Sequence, residues 1–497
     1  MPCRVVERLH QRLYHRRVRV DSVHQFVQSG FEFDGKHGFL QVKGEDFVFE
    51  DGTPVKFWGT NIAYSRMAVP DNEARQWAEK FAKYGVNIVR LHKFIGNLGW
   101  DGLMSTANTM EFDEPRAQLF DNIHAEFKQR GVYLGWSPIF AIKLHESLRP
   151  KLLAYDEIMK AMSDGMFART LYTFSNFAPD VQDLYIELVI KWLDRKNTKT
   201  GVRYGEDPAL AYVELHNESD IFFPGTGRTV AKCPTYTKIM NEKFGEWLSK
   251  KYKDDAALRA AWGKDLKKDE SLAAKNIFPF PNYNGQMPAP RRVADSYRFL
   301  YEYQTTFYEK FAAAIRKTGF RGPIVGGCWQ AADMYGHLYN IASDRAVGFI
   351  DRHNYFNGDR PMVARPGSAL LSAGMQVVAD RPFALSEWAG GHVFGAECQP
   401  VIGLIGLGLQ GWDYSAQFAS SWCGLRADAR GGINGNFDEL HSMAQHPFIG
   451  RALYSGALKE GAVVASRRIS MEELDRGEVG FQERFSLLGG ANLKTFS

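Results

Sequence analysis

The chain has 497 residues, 45% hydrophobic and 24% charged, close to the average for soluble globular proteins and long enough for one large barrel with additions or two to four ordinary domains. Its formal net charge of +4 comes largely from Arg4, Arg8, Arg12, Arg16, Arg17 and Arg19, and the near-neutral remainder implies neither a nucleic-acid nor a membrane partner. Five scattered cysteines (Cys3, Cys233, Cys328, Cys398, Cys423) with no CxxC pair fit neither a disulfide framework nor a zinc site and read as free thiols, and no apolar stretch approaches the ~18 residues of a membrane span.

Residues 1–30 match nothing in the periodic sequence that follows and read as a basic extension. They carry charges where a signal peptide needs an apolar stretch, so the chain as written is expected to be cytoplasmic, and secreted if the true start differs. Residues 31–54 alternate aromatic and polar residues around the turns Asp34-Gly35 and Asp51-Gly52, the signature of a β-hairpin region. From "PDNEARQWAEKFAKYG" the period changes: Ala74, Trp77, Ala78 and Phe81 recur at helical spacing, with Asp71 as N-cap and Gly85 as stop. The short buried strand "VNIVRLHKF" follows at once, and the alternation repeats. Helical stretches 115–130, 180–194 and 293–318 precede the strands "VYLGWSPIF", "ALAYVELHNE" and "GPIVGGCW"; "VGFIDRHNYF", "RPFALSEWA" and "GLQGWDYSA" come next.

Counting "VKFWGTN" first, these are eight strands separated by helices, the pattern of an α/β (β/α)8 TIM barrel over residues 55–460. Residues 221–292, after the fourth strand, are too long for one helix and form an insertion. Residues 461–497 look like the start of an accessory β segment that then stops. "GLGLQG" at 406–411 leads into a strand rather than following one, the wrong context for a dinucleotide site.

Active sites of such barrels lie where strands end at the C-terminal face. Those ends carry Asn61, Arg90 and His92, Trp136, Asn217 and Glu218, Trp329, His353 and Tyr355, Glu387, and Trp412. Glu218 and Glu387 end the fourth and seventh strands and would face each other across one mouth. Two carboxylates about 5 to 5.5 Å apart suit double-displacement glycoside hydrolysis. Glu214, His216 and Glu218 at two-residue spacing are expected to point one way. Glu214, deeper in the barrel, is expected to pair with Arg90 as a structural ion pair.

His92, His216 and His353 could suggest a metal site, but the first strand ends "GTNIAY" without a His-x-His pair, so they read as hydrogen-bond donors to sugar hydroxyls or to Glu387. No metal or cofactor is expected. Tryptophans at strand ends, Trp388 and above all Trp412, are placed to stack on sugar faces.

The "HNE", "SEW", "RHNYF" and "RLH" strand ends with Trp412 together resemble clan A of the glycoside hydrolases, the retaining barrels with catalytic residues on strands four and seven. "FVFEDGTPVKFWGTNIAYSR" and "NEKFGEWLSKKYKDDAALRAAWG" are similar to cellulase-like members near family 5 and, more loosely, family 42. The resemblance implies Glu218 as acid/base, Asn217 at the sugar 2-hydroxyl and Glu387 as nucleophile. It also implies Arg90 and Tyr355 holding Glu387, His353 near the acid/base, and Trp412 as glycone floor. The expected reaction is retaining hydrolysis of a β-glucan or β-mannan type of substrate; a β-galactosidase-like exo-glycosidase and a catalytically silent carbohydrate-binding barrel are the alternatives.

Overall fold

A computed structural model of the protein describes residues 35–96, 102–162, 170–223, 225–283, 285, 287–328, 334–356, 362, 369–390, 395–420, 437–438, 440–480 and 492–494. The basic extension and Trp329 lie outside the described residues.

A two-stranded antiparallel ribbon, β1 (Leu40–Lys43) and β2 (Asp46–Phe49), comes first. Its own turn is at Gly44-Glu45, where Gly44 takes φ +64, between the two turns expected from the sequence. Eight parallel strands follow: β3 (Phe57–Ala63), β4 (Ile88–His92), β5 (Tyr133–Ser137), β6 (Leu210–His216), β7 (Ile324–Gly327), β8 (Ile350–Phe356), β9 (Phe383–Gly390) and β10 (Tyr414–Gln417). They pair in the order β7-β6-β5-β4-β3-β10-β9-β8. The seam between β7 and β8 is closed by a bridge from Val325 to Phe349 and by the His353 N–H donating to the Cys328 carbonyl at 3.1 Å. Each of the eight strands overlaps one read from the sequence, and the fold is the (β/α)8 barrel.

Outward-facing apolar residues of the strands pack against the helices in one large core, whereas inward-facing ones fill the N-terminal end of the barrel. There Phe47 and Phe49 of the ribbon meet Phe349 and Tyr133, each at a centroid distance of 5.1 Å, and the Tyr212 and Tyr414 hydroxyls lie 3.1 Å apart. Gly135 is required by this plug: a Cβ there would come within 2.2 Å of the Tyr212 ring. With one end sealed by aromatic rings, the inward-facing charges lie in the upper half.

The helix Asp71–Lys83 buries Ala74, Trp77, Ala78 and Phe81 as its spacing requires, but it begins at Asp71 after Pro70 and has no side-chain cap, so Asp71 is not the N-cap. Other helices cover the wall at Glu114–Gln129, Pro179–Asp194 and Arg291–Lys317. Residues 221–292 contain the helices Thr226–Val230, Pro234–Tyr252 and Asp255–Trp262. Near the C-terminus, Met471–Asp475 is tied to the barrel by Arg298, whose Nη1 donates to Asp475 Oδ2 at 3.0 Å, and Val463–Ser466 pairs in parallel with Asn492–Lys494.

Candidate active site

Arg90 on β4 is wholly buried at the centre of the barrel mouth, and a buried guanidinium must be saturated with acceptors. Its Nη1 donates to Asn61 Oδ1 and to Glu387 Oε2, both at 2.9 Å. Nη2 donates to Asn217 Oδ1 (2.6 Å), Ser137 Oγ (2.9 Å) and Glu214 Oε2 (3.0 Å). Strand register explains the convergence: Asn61 pairs with Arg90 across β3 and β4, and Ser137 with His92 across β4 and β5. Glu214 also accepts from Ser137 Oγ at 3.1 Å and from the Cys328 thiol at 3.5 Å, so it is fully engaged inside the barrel.

Glu387, on β9, receives the Tyr355 hydroxyl on its other oxygen. His353, on β8, joins the two mouth carboxylates: Nδ1 lies 2.8 Å from Glu218 Oε1 and 3.5 Å from Glu387 Oε2, while Nε2 lies 3.2 Å from Ser386 Oγ. One ligand atom from each of Glu218, His353 and Glu387 lies within 4.8 Å of the others. This trio is the group among the described residues with the spacing to hold a metal ion. The Glu218 side chain is 17% exposed and that of Glu387 6%, so Glu218 is the more open to an incoming group.

Burial raises the Glu218 carboxyl to about 7, against the pull of Arg90 and with a further push from Glu214. Burial also raises Glu387, and the Glu218 charge adds to that, while Arg90 and the Tyr355 hydrogen bond favour its ionised form. Burial lowers His353 to about 4, so it is neutral near pH 7 and bridges the carboxylates without cancelling their charge.

Two tryptophans expected at the mouth lie elsewhere. Trp388, next in the strand after Glu387, points outward by strand alternation; it stacks on Trp58 at 6.2 Å and donates to Ser415 Oγ at 2.8 Å. Trp412 precedes β10 and packs at the opposite end of the barrel, its ring 5.0 Å from Phe383 and over Gly406, its carbonyl accepting from Lys56 Nζ at 3.0 Å. The eighth strand starts two residues later than Trp412 and ends at Gln417, which puts Phe418 at the mouth, 6.1 Å from His92 and 6.5 Å from Tyr355.

His216 also departs from the expected common face with Glu214. Its Nε2 lies 3.1 Å from Ser175 Oγ and its ring 6.2 Å from Tyr185 of the helix Pro179–Asp194, because alternation ends at the strand terminus and Glu218 takes φ +49. His92 lies at the mouth, its Nδ1 2.9 Å from Ser137 Oγ and its ring 5.7 Å from Phe140. Sequence reasoning missed Ser137, Phe418, Cys328, which receives the Glu218 N–H at 3.3 Å, and Tyr172, which donates to the Glu218 carbonyl. Parity with Arg90 across the register could have found Ser137; Tyr172 comes from a loop with no such signal.

Residues 63–401 match the model of glycoside hydrolase family 42, described as beta-galactosidase. Mannan endo-1,4-beta-mannosidase 5 of Arabidopsis thaliana is 26% identical over 203 residues, 39% of this chain and 44% of that protein. A second Arabidopsis thaliana mannan endo-1,4-beta-mannosidase matches over 45% of its length, so the chain spans less than half of either relative. Among solved structures, the beta-galactosidase of the Antarctic haloarchaeon Halorubrum lacusprofundi superposes with a TM-score of 0.57 at 15% identity, covering 88% of this chain and 66% of that one. The beta-galactosidase of Marinomonas ef1 gives 0.52 at 15% identity, covering 84% and 62%. These structures share the fold.

Proposed function

The chain belongs to glycoside hydrolase family 42, and from that premise we propose that it hydrolyses β-glycosidic bonds of oligo- or polysaccharides with retention of anomeric configuration. The observation that carries the reading is that Glu218 and Glu387 meet at one mouth, an oxygen of each lying within 4.8 Å and both beside His353 Nδ1. A retaining pair stands about 5 to 5.5 Å apart, whereas an inverting pair needs roughly 6.5 to 9.5 Å to admit a water molecule.

In this reading Glu387 attacks the anomeric carbon. Arg90 and Tyr355 orient its carboxylate, and their hydrogen bonds favour the ionised nucleophile. Glu218, held near 7, protonates the departing oxygen and then, once the glycosyl-enzyme has neutralised Glu387, takes the proton from the attacking water. Asn217, tied to Arg90, is suited to meet the sugar 2-hydroxyl, while His92 and Phe418 wall the glycone position. None of these steps draws on a metal ion or cofactor.

The matched mannosidases favour a β-mannan or related β-glycan as substrate. The family description favours a second reading, terminal β-galactoside hydrolysis. A panel of 4-nitrophenyl β-mannoside, β-galactoside and β-glucoside with galactomannan and β-glucan separates them. Release of oligosaccharides from galactomannan supports the first reading, and turnover of the galactoside alone supports the second. No turnover of any member would count against hydrolysis itself.

A further inference from the structure

Glu218 occupies the left-handed backbone region at φ +49, which is unfavourable for a residue that bears a side chain. The chain around it is held on every side. The Glu218 N–H meets Cys328 Sγ at 3.3 Å and its carbonyl accepts from Tyr172. Asn176 Nδ2 donates to Ser219 Oγ at 3.0 Å, and the Ile221 N–H donates to Gln304 Oε1 at 2.7 Å.

Asp220 lies within this stretch, is buried, and has no part in the chemistry proposed above. Its Oδ2 accepts from Asn340 Nδ2, on the helix Met334–Val347 outside the strands. Asn340 Oδ1 accepts from Arg352 Nη2 at 3.1 Å. Arg352 Nη1 donates to Asp344 Oδ2 at 2.7 Å, and Asp344 Oδ1 accepts the Gly327 N–H at 2.8 Å. All four side chains are buried, and Arg352 is held further by Gln376 and the Asp351 carbonyl. The chain of contacts joins the segment after β6, the end of β7 and the body of β8.

Arg352 and His353 are consecutive on β8 and face opposite sides of the barrel wall. Arg352 reaches out to Asn340 and Asp344, while His353 reaches in to Glu218 Oε1 at 2.8 Å. The network therefore flanks Glu218 along two chain segments: Asp220 lies two residues after it, and His353, which meets its carboxyl, directly follows Arg352.

We infer that Asp220, clasped by Asn340 against the Arg352–Asp344 ion pair, is a positioning residue that fixes the left-handed turn at Glu218 and aims its carboxyl at the leaving group. This rests on the acid/base role proposed for Glu218. Burial, with the Asp344 charge adding, raises the Asp220 carboxyl to about 7, so an amide of the same shape is a close substitute.

The test compares Asp220→Ala and Asp220→Asn with the parent on two β-glycosides of whichever sugar the parent accepts. One carries 2,4-dinitrophenolate, which leaves without a proton; the other carries an alkyl alcohol, which needs one. Asp220→Ala is expected to lose roughly tenfold to a hundredfold in kcat/KM on the alkyl glycoside, within the range of general acid catalysis, and little on the dinitrophenyl glycoside. Asp220→Asn is expected to stay near the parent on both. A network that only stabilises the fold would lower both substrates together or neither, and either result overturns the inference. Should Asp220→Ala fail to melt cooperatively, Asn340→Ala, which removes the donor and leaves Asp220 in place, carries the same comparison. A parent inactive on every glycoside would instead count against the proposed hydrolysis.

Discussion

Arg90 Nη1 donates to Glu387 Oε2 at 2.9 Å, a contact made by a guanidinium with no exposure to solvent. The carboxylate is thereby oriented by a cation that cannot give up its proton, and the roles of the two mouth carboxylates become separable by substitution. Glu387→Ala is expected to be nearly inactive on every substrate, with a loss of several orders of magnitude, on the scale of removing a nucleophile in other hydrolases. Glu218→Ala is expected to retain its first step on dinitrophenyl glycosides, and azide should accelerate its second step and yield a β-glycosyl azide. Steady-state kinetics with product analysis checks both; an Ala variant at Glu387 that kept near-parent turnover would remove it as nucleophile.

The alkaline side of the pH profile follows from the same pair. Glu218 must begin protonated, and burial raises its carboxyl to about 7. Turnover of glycosides with poor leaving groups is therefore expected to fall about tenfold per pH unit above that value. In Glu218→Ala the fall should disappear from the first step on dinitrophenyl glycosides, since no proton is needed there. A parent profile flat to pH 9 on an alkyl glycoside would contradict this assignment.

Glu214 has a different task. It meets Arg90 through Nη2 at 3.0 Å and Nε at 3.3 Å, deep in the barrel and away from the mouth. Glu214→Ala leaves two charged partners, Arg90 and Glu387, to share a site built for three, and is expected to lower stability by about 3 to 5 kcal/mol. Chemical denaturation measures it. A variant as stable as its parent but selectively inactive would move Glu214 into the chemistry.

Glu218, His353 and Glu387 come close enough to hold an ion, yet Glu218 and Glu387 already have places in the proposed proton and nucleophile steps. Exhaustive EDTA treatment is expected to leave turnover unchanged. Loss of activity with recovery on adding zinc or manganese would show that the trio binds a metal the reaction needs.

The barrel was legible because each strand is a short apolar run ending in polar residues, and eight such runs separated by helices admit one closed arrangement. Glu218, Glu387, Arg90, His353 and Tyr355 could be read as strand-end residues for the same reason, and the fold brings them into hydrogen-bonding or ion-pair contact. The errors lie where alternation by two stops applying. Trp388 follows an inward glutamate and so must face out, against the Trp58 ring. Trp412 precedes its strand, which begins at Tyr414, and so does not end it. His216 sits where β6 gives way to the left-handed turn at Glu218. Tyr172 and Asp220 reach their places through loops and a layer of helices, contacts set by tertiary packing that no local period encodes.

The stereochemistry of the first-formed sugar bears most directly on the pairing of Glu218 with Glu387. Proton NMR during the first minutes of hydrolysis of a β-glycoside, before mutarotation, reads it without any substitution. A β-anomer is the expected product, because two displacements at the anomeric carbon restore the starting configuration. An α-anomer would mean a single displacement by water and would remove Glu387 as nucleophile.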